Sequence, residues 1–276
     1  MKIELDKEEF KEQVMIQINL EGKTALICGA SKGIGRAIAL RMADAGAKIV
    51  AVSRNKIELD LLVSELPKNN GQTHMALTAD LSNLDELKTI MSNLAHAMRI
   101  HIIVNNTGGP PAGPLCKAPI EFLQSAFQQH VLANQIILSL FIEGMKSEGY
   151  GRVINIISTS VKQPLDNLGV SNTIRGAVAN WAKTLANELA PYQITVNNIL
   201  PGATMTERLS SIIERESNTL HTSTEEISKK MISNIPMGRF AQPDEIAAAA
   251  IFLASPLATY ITGINLPVDG GRTKSL

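Results

Sequence analysis

Between Thr24 and Met42 three local patterns follow one another without a gap. Thr24 to Cys28 is an apolar run of strand length, Gly29, Gly33 and Gly35 punctuate a loop, and Ile38, Ala39 and Met42 continue at helical spacing. The segment therefore reads as strand, glycine loop, helix. Glycine removes the Cβ that would hold a phosphate off the backbone, and a helix starting at the loop turns unpaired N–H groups and a positive dipole end toward it. The loop is a candidate cradle for a nucleotide pyrophosphate, although a glycine triplet alone is also what a tight strand-to-helix turn requires.

Alternation continues along the chain. Strands are expected at 47–52, 73–79, 101–105, 152–157, 194–199 and 261–268, with helices at 57–66, 84–97, 120–145, 169–190 and 244–253, the last capped by Pro243-Asp244. That order predicts an α/β protein with a doubly wound parallel sheet, a Rossmann fold, in a single domain over 19–276 with helices on both faces. Ligands of such sheets bind beyond the carboxyl ends of the strands. The loops expected at that edge are the glycine loop, Ser53-Arg54, Asp80-Leu81, Asn105 to Pro110, Ser158 to Ser160 and Pro201-Gly202. Any one is explained by turn chemistry; together they mark a ligand site. Two charged helical patterns, 205–216 and 224–232, form an excursion over 203–236 that reads as a lid.

Composition excludes several classes. Lys plus Arg and Asp plus Glu both number 26, so nothing favours nucleic acid as a partner. No apolar run reaches membrane-spanning length, and the acidic first 12 residues do not form a signal peptide, so no membrane role is expected. Residues 1–18 read as a charged extension, with Met15 as an alternative start. Cys28 and Cys116 make neither a disulfide framework nor a metal cluster, and the five histidines are scattered; no metal is expected and a reduced, cytoplasmic setting fits.

With Gly29-x-x-x-Gly33-Ile34-Gly35, Asp80-Leu81, Asn105-Asn106-x-Gly108, a strand ending in Ser158, Pro201-Gly202 and the tail from Ile235-Pro236-x-Gly238-Arg239 to Val268-Asp269-Gly270-Gly271, the chain resembles the short-chain dehydrogenase/reductase family from Leu20 to Gly271. Within it the chain looks most like the 3-oxoacyl-carrier-protein reductase type. The resemblance implies a cofactor site made by Gly29, Ser31, Lys32, Gly33, Ile34, Gly35, Ser53, Arg54, Asp80, Leu81, Asn106, Thr107, Gly108, Arg175, Pro201, Gly202, Thr204 and Thr206. The cofactor expected is NADP (NADPH) rather than NAD: the tip after the second strand reads Val52-Ser53-Arg54-Asn55, without the carboxylate that would hold a ribose 2′-hydroxyl. Arg54 and Lys32 are cations suited to a 2′-phosphate.

Family chemistry uses a tyrosine four residues before a lysine, a serine at the end of the fifth strand and an asparagine in the preceding helix. Aligned through Arg152 and Ser158, the tyrosine position holds Ser171, the lysine position Arg175 and the asparagine position His130; only Ser158 matches. An alcohol is a far weaker acid than a phenol, so the expected catalytic set Ser158, Ser171, Arg175 and His130 is non-standard. His130 is a candidate acid near neutral pH if its ring reaches Ser158 or Ser171. Two functions remain open: an oxidoreductase acting on a small-molecule carbonyl or alcohol, and an NADP(H)-binding protein without redox activity, serving as a sensor or oligomer partner. A homotetramer or homodimer is expected, with Ile136, Leu140 and Trp181 as candidates for contact between subunits.

Overall fold

The computed structural model describes residues 18–275. The expected extension, with Met15, lies outside the described residues except for Ile18, which packs against the core and so belongs to the domain.

In chain order the elements are β1 (Thr24–Cys28), α1 (Gly33–Asp44), β2 (Lys48–Ser53), α2 (Lys56–Glu65), β3 (Met75–Thr78), α3 (Leu84–Ala97), β4 (Ile102–Asn105), α4 (Ile120–Phe127), α5 (Ala133–Glu148), β5 (Gly151–Ile156), α6 (Gly169–Leu189), β6 (Ile194–Pro201), α7 (Glu207–Leu220), α8 (Thr224–Ile232), α9 (Pro243–Ala254) and β7 (Asn265–Val268). The strands form one sheet in the order β3-β2-β1-β4-β5-β6-β7. All its pairings are parallel. The strand order reverses between β1 and β4, and the crevice for a ligand opens at that point.

Strand residues alternate between two apolar layers because successive side chains point to opposite faces. Ala25 and Ile27 of β1, Ile49 and Ala51 of β2 and Ile154 of β5 pack with α1, α2 and α9. Leu26, Val50 and Val153 face the other way, onto α3, α5 and α6. Buried on both faces, these strands read as continuous apolar runs rather than as alternating ones.

On the second face four asparagines stand side by side across the sheet. Asn105 donates to Asn155 Oδ1, Asn155 to Asn198 Oδ1 and Asn198 to Asn265 Oδ1, each at 2.8 Å. The four occupy paired positions in the strand register. This amide ladder ties the last residue of β4 through β5 and the middle of β6 to the first residue of β7.

Three elements differ from the sequence expectation. The helix expected over 120–145 is broken by a π-turn, Gln128–Leu132, between α4 and α5. The last strand begins at Asn265 rather than 261, because the Asn197 amide group takes up the Ile261 carbonyl at 2.8 Å and the Ile264 N–H at 3.2 Å. Proline stands at the first position of α9 rather than capping it, and Glu245 Oε2 turns back to the Gln242 N–H at 2.8 Å.

Candidate active site

Gly29 adopts φ +59°, a left-handed conformation, and a Cβ on Gly35 would stand 2.2 Å from the Gly29 carbonyl oxygen. Both positions therefore require glycine, the first for its backbone and the second for close passage of the helix under the loop. Asn106 holds the turn from the β4 side, its Nδ2 donating to the carbonyls of Cys28 and Gly29 at 3.2 Å each. Lys32 occupies the N-cap of α1 without a side-chain cap, so the first-turn N–H groups of that helix have no side-chain acceptor. An anion is the natural partner for them, and the donor set fits a dinucleotide diphosphate.

At the tip of β2, Arg54 is exposed, while Ser53 Oγ accepts from the Asn55 N–H at 3.3 Å. Lys32 is differently placed from the sequence expectation: its ammonium meets Glu58 of α2 at 2.8 Å and Glu207 of α7 at 3.0 Å. Two carboxylates thus stand against the cation expected to meet a 2′-phosphate, whereas Arg54, close to Asp80, forms no ion pair within 4 Å among the described residues. Burial pushes the Asp80 carboxyl up, but bonds from the Ser82 N–H at 2.9 Å and hydroxyl at 2.7 Å, with Arg54 close by, outweigh it and hold Asp80 below the usual carboxylate range. Leu81 packs beside it on the α3 face.

Thr204 and Thr206 shape the start of the lid. Thr204 Oγ1 donates to the Gly202 carbonyl at 3.1 Å, and Thr206 Oγ1 accepts from the Leu209 N–H at 3.4 Å as the N-cap of α7. Thr206 Cγ2 approaches the bare face of Gly33, where a Cβ would lie 3.1 Å away. Pro201 and Gly202 pass tightly under Asp269.

A second set gathers around Thr107. Arg175, 6% exposed on α6, donates through Nη1 to the Ile156 carbonyl at 3.2 Å and through Nη2 to the Thr107 carbonyl at 3.4 Å, while its buried Nε has no partner. Burial, with Arg208 nearby, lowers this guanidinium to about 10, still charged at neutral pH. His130, 2% exposed, sits in the π-turn and bonds through Nδ1 to the Thr107 hydroxyl; its buried Nε2 has no partner. Burial first, and then Arg175 and Arg208, push the imidazole down to about 2. The imidazolium acid near pH 7 allowed by the sequence reading is therefore not formed: the ring is neutral and holds Thr107. Among the described residues neither Ser158 nor Ser171 hydrogen-bonds to it. Ser158 is half-buried at the end of β5, where its Oγ accepts from the Ser160 N–H at 3.1 Å. Ser171 lies one turn before Arg175, half-buried, as the sequence spacing requires.

Tyrosine does not supply the missing phenol. Tyr150 bonds the Ala254 carbonyl at 2.6 Å, Tyr192 receives Lys146 over its ring at 4.8 Å, and Tyr260 is fully exposed. A residue that sequence reading passed over is Arg208, in the first turn of α7. Its Nη1 donates to the Gly109 carbonyl at 3.1 Å, and a Cβ on Gly109 would lie 2.5 Å from its Nη2, so the Gly108-Gly109 pair leaves the room it occupies. The only sequence signal for it was a cation placed against the helix dipole. Among the described residues no group of His, Cys, Asp and Glu is arranged to hold a metal ion. None of the described helices is long and apolar enough to cross a membrane.

An open, seven-stranded parallel sheet flanked by helices, with a glycine loop after β1, defines a doubly wound protein of the Rossmann class. A family profile described as enoyl-(acyl carrier protein) reductase matches residues 29–273. The chain belongs to the short-chain dehydrogenase/reductase family. It is 32% identical to the NADPH-dependent reductase BacG of Bacillus subtilis over 92% of this chain and 99% of that one. It is 33% identical to the 3-oxoacyl-[acyl-carrier-protein] reductase of Synechocystis over 91% and 97%. Among solved structures, the L-sorbose reductase of Gluconobacter frateurii, complexed with NADPH and L-sorbose, superposes with a TM-score of 0.88 at 29% identity, covering 95% of this chain and all of that one.

Proposed function

We propose that this protein is an NADP(H)-dependent oxidoreductase that interconverts a small-molecule carbonyl and its alcohol through a non-standard active site. The observation that carries the reading is the uncapped start of α1 at the glycine loop, with Asn106 held against Gly29, Thr206 against Gly33 and the cation Arg54 exposed at the tip of β2. The first-turn amides hold the diphosphate and Arg54 the 2′-phosphate. When bound, the cofactor would supply the hydride, and a proton from solvent would complete the alcohol. Ser158 donates a hydrogen bond to the carbonyl oxygen, and Arg175 contributes fixed positive charge where negative charge develops.

A second reading, cofactor binding without redox activity, draws on Arg175 itself. Its Nη1 and Nη2 both donate to backbone carbonyls, as a structural strut would, and Ser171 is a poor proton donor. The two are separated by titrating NADPH against the protein and then following NADPH oxidation over a panel of ketones and acyl thioesters. Binding with turnover supports the first reading; binding with no turnover on any member supports the second.

Assembly as a homodimer or homotetramer belongs to the same proposal. Phe122, Phe127 and Leu132 are exposed along α4 and the π-turn, while Leu140 and Trp181 are only partly covered by the core. Light scattering at micromolar concentration should return a multiple of the 29.8 kDa chain mass; a monomer would count against it. A cytoplasmic setting is proposed because both cysteines are free and Cys28 is buried, its thiol pushed up to about 12.

A further inference from the structure

Two arginines approach the loop after β4 from opposite sides. Arg175 rises from α6 to the Thr107 carbonyl, and Arg208 descends from α7 to the Gly109 carbonyl. Between them lies His130, held by Thr107 and neutral. Neither arginine forms an ion pair with a carboxylate among the described residues, although the lid itself carries Glu207, which is taken by Lys32. Arg208 stands in the first turn of α7, where the helix dipole disfavours a cation. A buried guanidinium such as Arg175 ordinarily comes with a counter-charge. Here the Nε of Arg175, a donor only, is buried without a partner, so the guanidinium lacks an acceptor as well as a counter-charge. The place is built to receive negative charge.

We infer that Arg208, backed by the positive charge of Arg175, binds an anionic group on the substrate, most simply a carboxylate near the carbonyl that reacts. A carboxylate matches the planar fork of arginine, which a hydroxyl cannot do. Arg208 bridges the lid to the β4 loop, so an anion bound there also fixes the lid over Ser158 and Ser171. The inference rests on the oxidoreductase reading above, and the same anion chemistry could come from the cofactor diphosphate instead of the substrate. The test separates these sources.

NADPH affinity is measured first, by calorimetry, for the protein, for Arg208→Gln and for Arg208→Lys. The NADPH-loaded forms are then titrated with 2-oxo and 3-oxo acids of four to eight carbons and, in parallel, with their methyl esters. At least one acid should bind the unmodified protein about 10- to 100-fold more tightly than its ester. Arg208→Gln should erase that preference with NADPH affinity unchanged, and Arg208→Lys should keep part of it. If no acid outbinds its ester, the inference is overturned. An Arg208→Gln change that weakens NADPH and leaves the acid-to-ester ratio intact would overturn it as well, assigning the arginine to the cofactor diphosphate. Failure of the unmodified protein to bind NADPH at all would instead remove the oxidoreductase reading, and with it this inference.

Discussion

Arg175 Nη1 donates to the Ile156 carbonyl at 3.2 Å, so a fully buried cation joins α6 to the last residue of β5. The second arm of the same guanidinium reaches the Thr107 carbonyl at 3.4 Å, beyond the end of β4. A lysine carries one point charge on a flexible stem and cannot hold two carbonyls in a fixed fork. Arg175 is therefore a clamp between the end of β5 and the segment that follows β4.

Cofactor preference should reside in Arg54. Lys32 is already held by Glu58 and Glu207, whereas Arg54 is exposed at the tip of β2 and forms no ion pair among the described residues. The protein should bind NADPH at least about tenfold more tightly than NADH, and Arg54→Ala should remove most of that difference. Calorimetry with both nucleotides decides it, and equal affinities in the unmodified protein would refute the assignment.

The two carboxylates on Lys32 give a second, opposite expectation. A 2′-phosphate must compete with Glu58 for that ammonium, so Glu58→Gln should tighten NADPH by about two- to fivefold and leave NADH unchanged. Lys32 is exposed, so the gain should shrink in high salt. A loss of NADPH affinity in this variant would show that Glu58 orients Lys32 rather than opposing the phosphate.

How much of this could be read from the sequence follows from the range of each interaction. The β1 bounds, the glycine loop and the α3 bounds are local patterns, and they were legible as such. The π-turn was not, because one extra residue in Gln128–Leu132 barely disturbs an apolar period spread over 26 positions, yet it decides where the His130 ring lies. Contacts between distant segments were equally hidden: Lys32 meets Glu207, and Arg208 meets Gly109, only after the lid folds across the sheet edge. The expected catalytic set came from alignment with the family's motif alone, and that Arg175 would face carbonyls rather than water depended on tertiary packing.

The asparagine ladder predicts a large loss of stability from a small change. Asn155 is fully buried and is both donor and acceptor, so Asn155→Val leaves Asn105 Nδ2 and Asn198 Oδ1 without partners. Each unsatisfied group costs about 1–3 kcal/mol, so with two of them the variant should lose about 2–6 kcal/mol in urea unfolding. A loss below about 1 kcal/mol would mean that water replaces the amide.

His130 should make the fold sensitive to acid. In the unfolded chain an imidazole takes a proton near its ordinary value of about 6.5, whereas in the folded protein it does so only near about 2. Between those values the unfolded state holds the extra proton, so stability rises with pH and is lost as pH falls below about 6.5. The slope from one such group approaches about 1.4 kcal/mol per pH unit. His74 and His101 are shifted the same way, chiefly by burial, and contribute with the same sign. His130→Gln should flatten the decline between pH 6.5 and 4 without abolishing it; an unchanged slope would show that the ring is protonated in the folded state.

Catalysis gives the remaining expectation. Removing a positioned general acid typically forfeits roughly 10²- to 10⁴-fold in rate. If, as proposed, Ser171 takes the place of the family's phenol, then with His130 neutral and bonded to Thr107 reduction of ordinary ketones by the unmodified protein should be slow by about that factor. Ser171→Tyr combined with Arg175→Lys restores a phenol one helical turn from an ammonium, and should raise NADPH-dependent reduction of a generic diketone. Adding Ser158→Ala should abolish the gain, because the carbonyl oxygen then loses its hydroxyl donor. The double change also releases the clamp on Ile156 and Thr107, so thermal unfolding of the variant must be followed in parallel. If it stays folded and binds NADPH but gains no activity, the missing phenol is not what limits the site. If the unmodified protein turns such substrates over at ordinary family rates, the proton comes from bound water or from the substrate itself, and His130→Ala should then leave the rate untouched.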